Sequence, residues 1–197
     1  MPELTVFAGP NGSGKSTVSS LVWFEGNANL IDTDAIARRL DSSTPARSAI
    51  PAAREAIQRS RSLLAERSSF SLETTLAGHG AMAIIRQARD AGYRTFLVFV
   101  SLGNPELHIE RVRLRVSRGG HDVPEDDVRR RYWRSLKHAP EALRLVDQAV
   151  VLDNSRSYPA RKLELRGGHV VWRDENLPEW VQRLDEALKS AKATVNS

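Results

Sequence analysis

The chain contains no cysteine among its 197 residues. Disulfides, thiol nucleophiles and thiolate metal sites are therefore excluded, and we expect a cytoplasmic protein. Long hydrophobic runs are also missing, because even a run such as Phe96 to Val100 has only the length of a strand and falls far short of the roughly 18 apolar residues of a membrane span. The amino-terminal segment MPELTVFAG has no basic residues before its apolar run and no small-residue cleavage site, so a signal peptide is not predicted.

Aromatic residues are scarce at 6%, and they are not interleaved with basic residues as in a base-stacking nucleic-acid platform. Charge is more informative, because the net charge is +5 and 24 of the 29 cationic residues are arginine. Such a balance favours phosphorylated or polyanionic ligands without choosing between them.

Short apolar runs alternate with segments of helical periodicity along the whole chain, with predicted strands at 4–8, 28–31, 70–75, 95–102 and 149–152. This alternation predicts an α/β fold of the P-loop NTPase type, in which about five mostly parallel strands carry helices on both faces. We expect one domain over residues 1–197, with a helical lid at about 104–138 and a C-terminal hairpin and helix at about 160–191. Within it, helices are predicted at 15–23, 45–68 and 127–138.

The segment GPNGSGKST matches the phosphate-loop pattern G-x-x-x-x-G-K-[ST] between a predicted strand and a predicted helix. Backbone N–H groups of such a loop bind phosphate, its lysine reaches the β- and γ-phosphates, and its serine hydroxyl holds magnesium. ATP and Mg²⁺ are therefore the predicted cofactors, and the predicted nucleotide-binding residues are Gly9, Pro10, Asn11, Gly12, Ser13, Gly14, Lys15, Ser16 and Thr17, with Ser16 on the metal. The alternative is a glycine turn followed by an ordinary surface lysine. A dinucleotide-binding loop is excluded, because Thr17 stands where the third glycine belongs.

Two acids follow the second predicted strand, where ligands bind in an open α/β sheet. Asp32 or Asp34 is suited to take the proton of an acceptor hydroxyl, whereas the alternative role is to cap the next helix. Glu73, Thr74 and Thr75 end the third predicted strand at the same edge. Their carboxylate and hydroxyl groups suit a polyhydroxylated acceptor, although a strand-ending turn explains the threonines as well.

Arginines cluster in the predicted lid. Arg111, Arg115 and Arg118 share one helix face, and after Gly119-Gly120 a second helix carries the basic run 129–131. Two basic helices hinged at a glycine pair predict a lid that closes over phosphates. The alternative is a solvated basic face balanced by neighbouring acids.

The chain resembles the zeta-toxin-like family of P-loop kinases, whose characterised members phosphorylate UDP-N-acetylglucosamine. The resemblance covers roughly residues 1–155 and is carried by GPNGSGKST at 9–17, IDTDAIARRL at 31–40, FSLETTLAG at 70–78, RVSRGGHDVPEDDVRRRYWRSL at 115–136 and DNS at 153–155.

The resemblance implies roles for individual residues. Asp34 matches the general base better than Asp32 does. The segment Glu73 to Thr75 would face the sugar nucleotide, Arg118 and Arg130 would be the lid arginines, with Arg115 beside the substrate, and Asn154 would lie near the adenine. The resemblance also makes an inhibitory antitoxin protein a candidate partner.

Together these features predict an ATP- and magnesium-dependent kinase whose acceptor is a small molecule such as a sugar nucleotide, with Asp34, Lys15, Arg118 and Arg130 as catalytic residues. Two alternatives stay open. One is a polynucleotide or RNA kinase, which the positive charge would suit. The other is a slow ATPase that acts as a nucleotide-gated binding protein.

Overall fold

A computed structural model describes residues 1–21, 25–41 and 48–190 of the chain. Seven strands form one sheet in the order β2-β3-β1-β4-β5-β6-β7. The elements in chain order are β1 (Glu3–Ala8), α1 (Lys15–Leu21), β2 (Leu30–Asp32), α2 (Thr33–Leu40), α3 (Ala49–Ala65), β3 (Phe70–Thr74), α4 (Gly80–Asp90), β4 (Arg94–Ser101), α5 (Pro105–Ser117), α6 (Glu125–Leu145), β5 (Gln148–Asp153), β6 (Ala160–Arg166), β7 (His169–Arg173) and α7 (Glu179–Ser190).

The first five strands in sequence pair in parallel, which confirms the predicted α/β fold of the P-loop type. The C-terminal hairpin is not a separate appendage, because β6 pairs antiparallel with β5 and thereby extends the same sheet to seven strands. Gly167 and Gly168 both have positive φ, as the tight turn of such a hairpin requires.

The segment predicted to form a lid, at about residues 104–138, contains α5 and most of α6. Asn104 is the N-cap of α5, and its side-chain oxygen accepts a hydrogen bond from the Leu107 N–H. The prediction that α6 ends near His138 is wrong, since this helix continues through Pro140 to Leu145. Proline removes one helical hydrogen bond, but Ala139, Ala142 and Leu143 bury the same stretch in the core, which outweighs that loss.

Pro51 lies in the first turn of α3, where proline is tolerated, and does not break the helix. The predicted helix end at Trp23, the predicted helix start at Pro45 and the predicted end of the last helix at Ala191 lie outside the described residues.

The parallel strands place all their carboxyl ends at one edge of the sheet. Gly9 follows β1, Asp32 ends β2 and Thr74 ends β3, while Asn154 follows β5. The central strand β1 is buried from Leu4 to Ala8, so the loop that follows it starts from a rigid base. No helix within the described ranges is long and apolar enough to cross a membrane.

Candidate active site

The loop after β1 packs so closely on its neighbours that only glycine fits at several positions. Gly9 has φ +142°, and a Cβ atom there would lie 1.9 Å from the Val100 carbonyl oxygen. Gly14 has φ +92°, and its Cβ would lie 2.4 Å from the Asn154 side-chain nitrogen. These close approaches and left-handed conformations turn the loop back over the end of β1, as a phosphate-binding nest requires.

Two buried side chains support this loop from opposite sides. The His108 Nδ1–H donates to the Asn11 carbonyl oxygen at 2.8 Å, while its Nε2 accepts from the Leu102 N–H at 3.1 Å. Burial lowers the pKa of His108 to about 4, so the ring is neutral at physiological pH. The Asn154 amide donates to the Ser13 carbonyl oxygen at 2.8 Å.

Sequence reasoning missed His108. Its available signal was a histidine among the apolar positions of α5, next to Ile109 and in line with Val112, which are both buried. Asn154, which the resemblance placed near the adenine, lies directly against the loop at Ser13 and Gly14.

Lys15 begins α1 and is only 6% exposed, so it is not an ordinary surface lysine. Its Nζ donates to the carbonyl oxygens of Gly9 and Pro10 at 2.8 and 3.1 Å. Burial lowers the pKa of the Lys15 ammonium, and the nearby Glu73 carboxylate opposes that shift. The loop therefore holds a desolvated cation against its own backbone.

Glu73 lies beside the hydroxyl that the loop motif assigns to the metal. The Ser16 Oγ–H donates to Glu73 Oε1 at 2.8 Å, and Glu73 is 9% exposed. Burial raises the pKa of Glu73, while the Lys15 charge lowers it. Sequence reasoning assigned Glu73 to the acceptor, whereas the structure brings it to Ser16.

A hydroxyl and a carboxylate oxygen are donors that suit Mg²⁺. No group of three or more His, Cys, Asp or Glu side chains within the described part of the chain could hold a metal on its own. This sparse oxygen set fits magnesium, since that ion is usually bound through one or two protein ligands together with substrate phosphates.

The two acids at the junction of β2 and α2 have separate surroundings. Asp32 is the N-cap, and its Oδ1 accepts from the N–H groups of Asp34 and Ala35 at 2.9 and 3.1 Å. The Asp34 Oδ2 instead accepts from the Asn11 amide at 3.0 Å. Asp32 therefore caps α2, whereas the Asp34 carboxylate contacts the loop after β1.

Asp34 lines a cavity of about 670 Å³ between α2, α3, α4 and the amino-terminal part of α6. Both apolar and polar residues line it. Its lining includes Ala37, Ala53, Ala56, Ile57, Leu72, Ala81, Ile84 and Val123 among the apolar residues, and Thr33, Thr74, Thr75, His121, Asp122, Asp127 and Arg131 among the polar ones.

A strained turn shapes the threonine wall of this cavity. Leu76 is fully buried at φ +56°, a conformation that costs a branched residue about 1–2 kcal/mol. The Thr74 Oγ1 accepts from the Leu76 N–H at 3.1 Å, and the Leu76 carbonyl accepts from His138 Nδ1 at 2.9 Å. These bonds hold Thr74 and Thr75 at the cavity.

The arginines of the lid are distributed differently from the prediction. Arg131 approaches Asp34 with 3.9 Å between Nη1 and Oδ1, whereas the neighbouring Arg130 is exposed and pairs with Asp127 at 2.8 Å. Arg118 is the exposed C-cap residue of α5. The structure thus brings Arg131 to the site and leaves Arg130 and Arg118 at the surface.

Two arginines on α5 also reach the site region. The Arg111 guanidinium donates to the Asn154 carbonyl oxygen at 2.6 Å, beside the phosphate loop. Arg115 donates to the His121 carbonyl oxygen at 2.7 Å. Burial lowers the pKa of the Arg115 guanidinium, and the Asp34 carboxylate opposes that shift. These two residues share the face of α5 that the spacing predicted.

Comparison with known proteins places this geometry among related chains. A family model described as an AAA domain matches residues 4–139. An uncharacterized protein of Haemophilus influenzae is 33% identical over 128 residues, which cover 64% of this chain and 89% of that protein.

Two solved structures share the fold. AvrRxo1-ORF1:AvrRxo1-ORF2 with ATP gives a TM-score of 0.68 at 13% identity, covering 95% of this chain and 64% of that chain. A structure of the PezAT chromosomal toxin-antitoxin system of Streptococcus pneumoniae gives 0.57 at 15% identity, covering 100% of this chain and 86% of that chain. This chain thus spans less than two thirds of the AvrRxo1-ORF1:AvrRxo1-ORF2 chain that it matches, and the likeness to both structures concerns the fold.

Proposed function

The chain belongs to the AAA domain family, and from this premise we propose that it is an ATP- and magnesium-dependent kinase that phosphorylates a hydroxyl group of a small molecule. The observation that carries the proposal is the position of Asp34. Its carboxylate contacts the phosphate loop through Asn11 and lines the cavity of about 670 Å³. One carboxylate therefore faces both the nucleotide loop and the space for an acceptor.

In the proposed reaction Asp34 accepts the proton of the acceptor hydroxyl as its oxygen attacks the γ-phosphorus. The bond between that phosphorus and the bridging oxygen breaks, and ADP leaves with the electron pair. Lys15 and Arg131 balance the negative charge that spreads over the transferred group. Ser16, with Glu73 beside it, would hold the magnesium ion, which neutralises charge on the phosphates when bound.

Roles for the remaining predicted residues follow from their positions. Thr74 and Thr75 offer hydroxyl groups to the acceptor from the cavity wall. Arg115 and Arg118 belong to the helix that would move as part of the lid, which spans about residues 104–138. The nine residues Gly9 to Thr17 bind the nucleotide phosphates, with Asn154 behind them.

A small acceptor is favoured over nucleic acid by the shape of the site. The cavity of about 670 Å³ is within the usual range of small-molecule pockets, and many of its lining residues are apolar. A sugar nucleotide of the UDP-N-acetylglucosamine type is the acceptor that the motif resemblance implies. The toxin-antitoxin relative supports a toxin-type kinase with an inhibitory antitoxin partner, and the absence of cysteine supports a cytoplasmic location.

The test is transfer of labelled phosphate from ATP by the purified chain with Mg²⁺. UDP-N-acetylglucosamine, a set of other small alcohols and a single-stranded oligonucleotide are offered in parallel. We expect a labelled small molecule with the wild-type chain and none with Asp34→Asn. Labelled oligonucleotide would favour the polynucleotide kinase alternative. Release of inorganic phosphate without any labelled acceptor would favour the slow ATPase.

Salt separates the acceptor classes further. Oligonucleotide binding should weaken steeply with salt, with a log–log slope of roughly −0.7 for each phosphate contacted. Binding of a small acceptor through hydrogen bonds should change little over the same range. A steep slope together with labelled oligonucleotide would overturn the small-molecule proposal.

A further inference from the structure

Asn11 belongs to the phosphate loop, yet its side chain is turned toward the acceptor side. It is 2% exposed. Its Nδ2 donates to Asp34 Oδ2 at 3.0 Å, and its Oδ1 accepts from Arg131 Nη1 at 3.1 Å. The loop motif accepts many residue types at this position, so the motif alone does not explain an asparagine here.

The orientation of this amide is determined by its two partners. A carboxylate can only accept and a guanidinium can only donate, so the reversed amide would place an N–H group against Arg131 and an oxygen against Asp34. Asparagine is the side chain of this size that satisfies both neighbours at once. Asn11 therefore lies between Asp34 and Arg131 and holds their side chains in position relative to each other.

The backbone of Asn11 is held as firmly as its side chain. Its carbonyl oxygen accepts from the buried His108 ring at 2.8 Å, which anchors the loop to α5. Asn11 thus connects the loop after β1, the start of α2 and the lid helices α5 and α6.

We propose that Asn11 is a positioning residue that holds the Asp34 carboxylate in its orientation at the cavity and couples this carboxylate to the phosphate loop and to Arg131. A hydrogen bond donated to a carboxylate stabilises its charged form, and it also removes rotational freedom from the side chain. The proposal rests on the proposed function in one respect, namely that Asp34 is the base.

The first test follows the Asp34 carboxyl carbon by NMR in the full chain as the pH is varied, with Asp34→Asn used to assign the signal. In Asn11→Ala we expect the midpoint of this titration to move to higher pH by about one unit, because the charged form loses a hydrogen bond. In Asn11→Asp we expect a larger move, because a second carboxylate faces the first.

Asn154→Ala is the matched control. It removes another buried asparagine that holds the same loop, at Ser13, without touching Asp34. We expect the Asp34 midpoint to stay at the wild-type value in this variant. An unchanged midpoint in Asn11→Ala, or equal shifts in Asn11→Ala and Asn154→Ala, would overturn the proposal, because the effect would then be absent or a general disturbance of the loop.

If Asn11→Ala fails to fold, Asn11→Asp carries the test, since it keeps the size of the side chain and an oxygen for Arg131. The titration requires neither acceptor nor phosphoryl transfer. A shifted midpoint in a chain that transfers no phosphate would reject the proposed kinase function and leave the link between Asn11 and Asp34 intact.

A second measurement uses kinetics once an acceptor is identified. Asn11→Ala should lower the transfer rate about tenfold in the wild-type background and have almost no effect in the Asp34→Asn background, because Asn11 acts through Asp34. Equal losses in both backgrounds would show that Asn11 contributes independently, and the positioning role would be wrong.

Discussion

The phosphate loop and the acceptor cavity meet at Asp34, but they are built from different kinds of contact. The loop consists of consecutive residues, and His108 and Asn154 each donate a hydrogen bond to one of its carbonyl groups. The cavity is lined by side chains from five separate parts of the chain, and its charged groups are partly exposed. The proposed phosphate site therefore uses consecutive residues of one loop, whereas the proposed acceptor site depends on how distant elements pack.

The largest expected effect lies where the two regions meet. Asp34→Asn keeps the size of the side chain but cannot accept a proton, so transfer should fall by about 10²–10⁴-fold while ATP binding persists. Single-turnover rates and ATP titration measure the two quantities. Asp32→Asn is the matched control, since asparagine caps helices as well as aspartate does and transfer should stay close to wild type. The opposite pattern would assign the base to Asp32.

The next effect belongs to the loop alone. Lys15→Met removes the cation but keeps an unbranched apolar stem in the buried site, so transfer should fall by about 10²–10³-fold with the fold retained. Circular dichroism and transfer rates check both parts. Lys189→Met, on the exposed surface of α7, controls for the loss of one charge. Transfer retained in Lys15→Met would overturn the phosphate-loop assignment.

His108 holds the phosphate loop and is buried in its neutral form, so we expect the stability of the folded chain to depend on pH. The folded chain binds its His108 proton only near pH 4, whereas the unfolded chain binds it near its ordinary value of 6.5. The unfolded state therefore binds more protons between these two pH values. The contribution of His108 to the free energy of unfolding is complete above pH 6.5 and is lost as the pH falls toward 4.

The loss amounts to about 3 kcal/mol of unfolding free energy. Urea unfolding of wild type and His108→Gln at pH 7 and pH 4 measures it, and the difference in stability between the two proteins should shrink by about that amount at pH 4. His169→Gln on strand β7 serves as control, with no such change expected. An equal pH dependence in wild type and His108→Gln would show that the loop support is not the cause.

The smallest expected effect concerns an arginine beside the proposed acceptor cavity. Arg131→Gln removes a guanidinium next to Asp34 and Asn11, so transfer should fall about tenfold. Arg130→Gln removes the adjacent exposed arginine of the same helix and should cost less than about 1 kcal/mol, either in stability or in the activation barrier. Comparing kcat and KM of the two variants tests this. A larger loss in Arg130→Gln would mean that lid closure rotates Arg130 toward the phosphates.

Some of this site could be predicted from sequence because the information is local. Gly9 and Gly14 have positive φ, which is a local requirement that glycine meets, whereas the contacts that exclude a Cβ atom there come from Val100 and Asn154, which are distant in sequence. The pair of acids after β2 was also recognisable, since an N-cap and the edge of a sheet both follow from the local pattern. Which acid caps the helix was left open.

The position of Glu73 could not be predicted, because it depends on strand order. β3 lies directly beside β1 in the sheet, with Thr74 opposite Ala8, and this register carries the preceding Glu73 to Ser16. No local pattern states which strand becomes the neighbour of the first one. The resemblance assigned Glu73 to the acceptor by analogy. The pairing of β3 with β1 shows that its carboxylate contacts Ser16.

By itself the sequence determined an α/β chain with a phosphate loop after its first strand, since periodicity and glycine placement act over a few consecutive residues. Only the tertiary structure decided that Arg131 rather than Arg130 approaches Asp34, and that His108 holds the loop. Adjacent residues of a helix point about 100° apart, so the packing angle of α6 selects one arginine of the run. That angle depends on contacts between α5, α6 and the sheet that are distant in sequence.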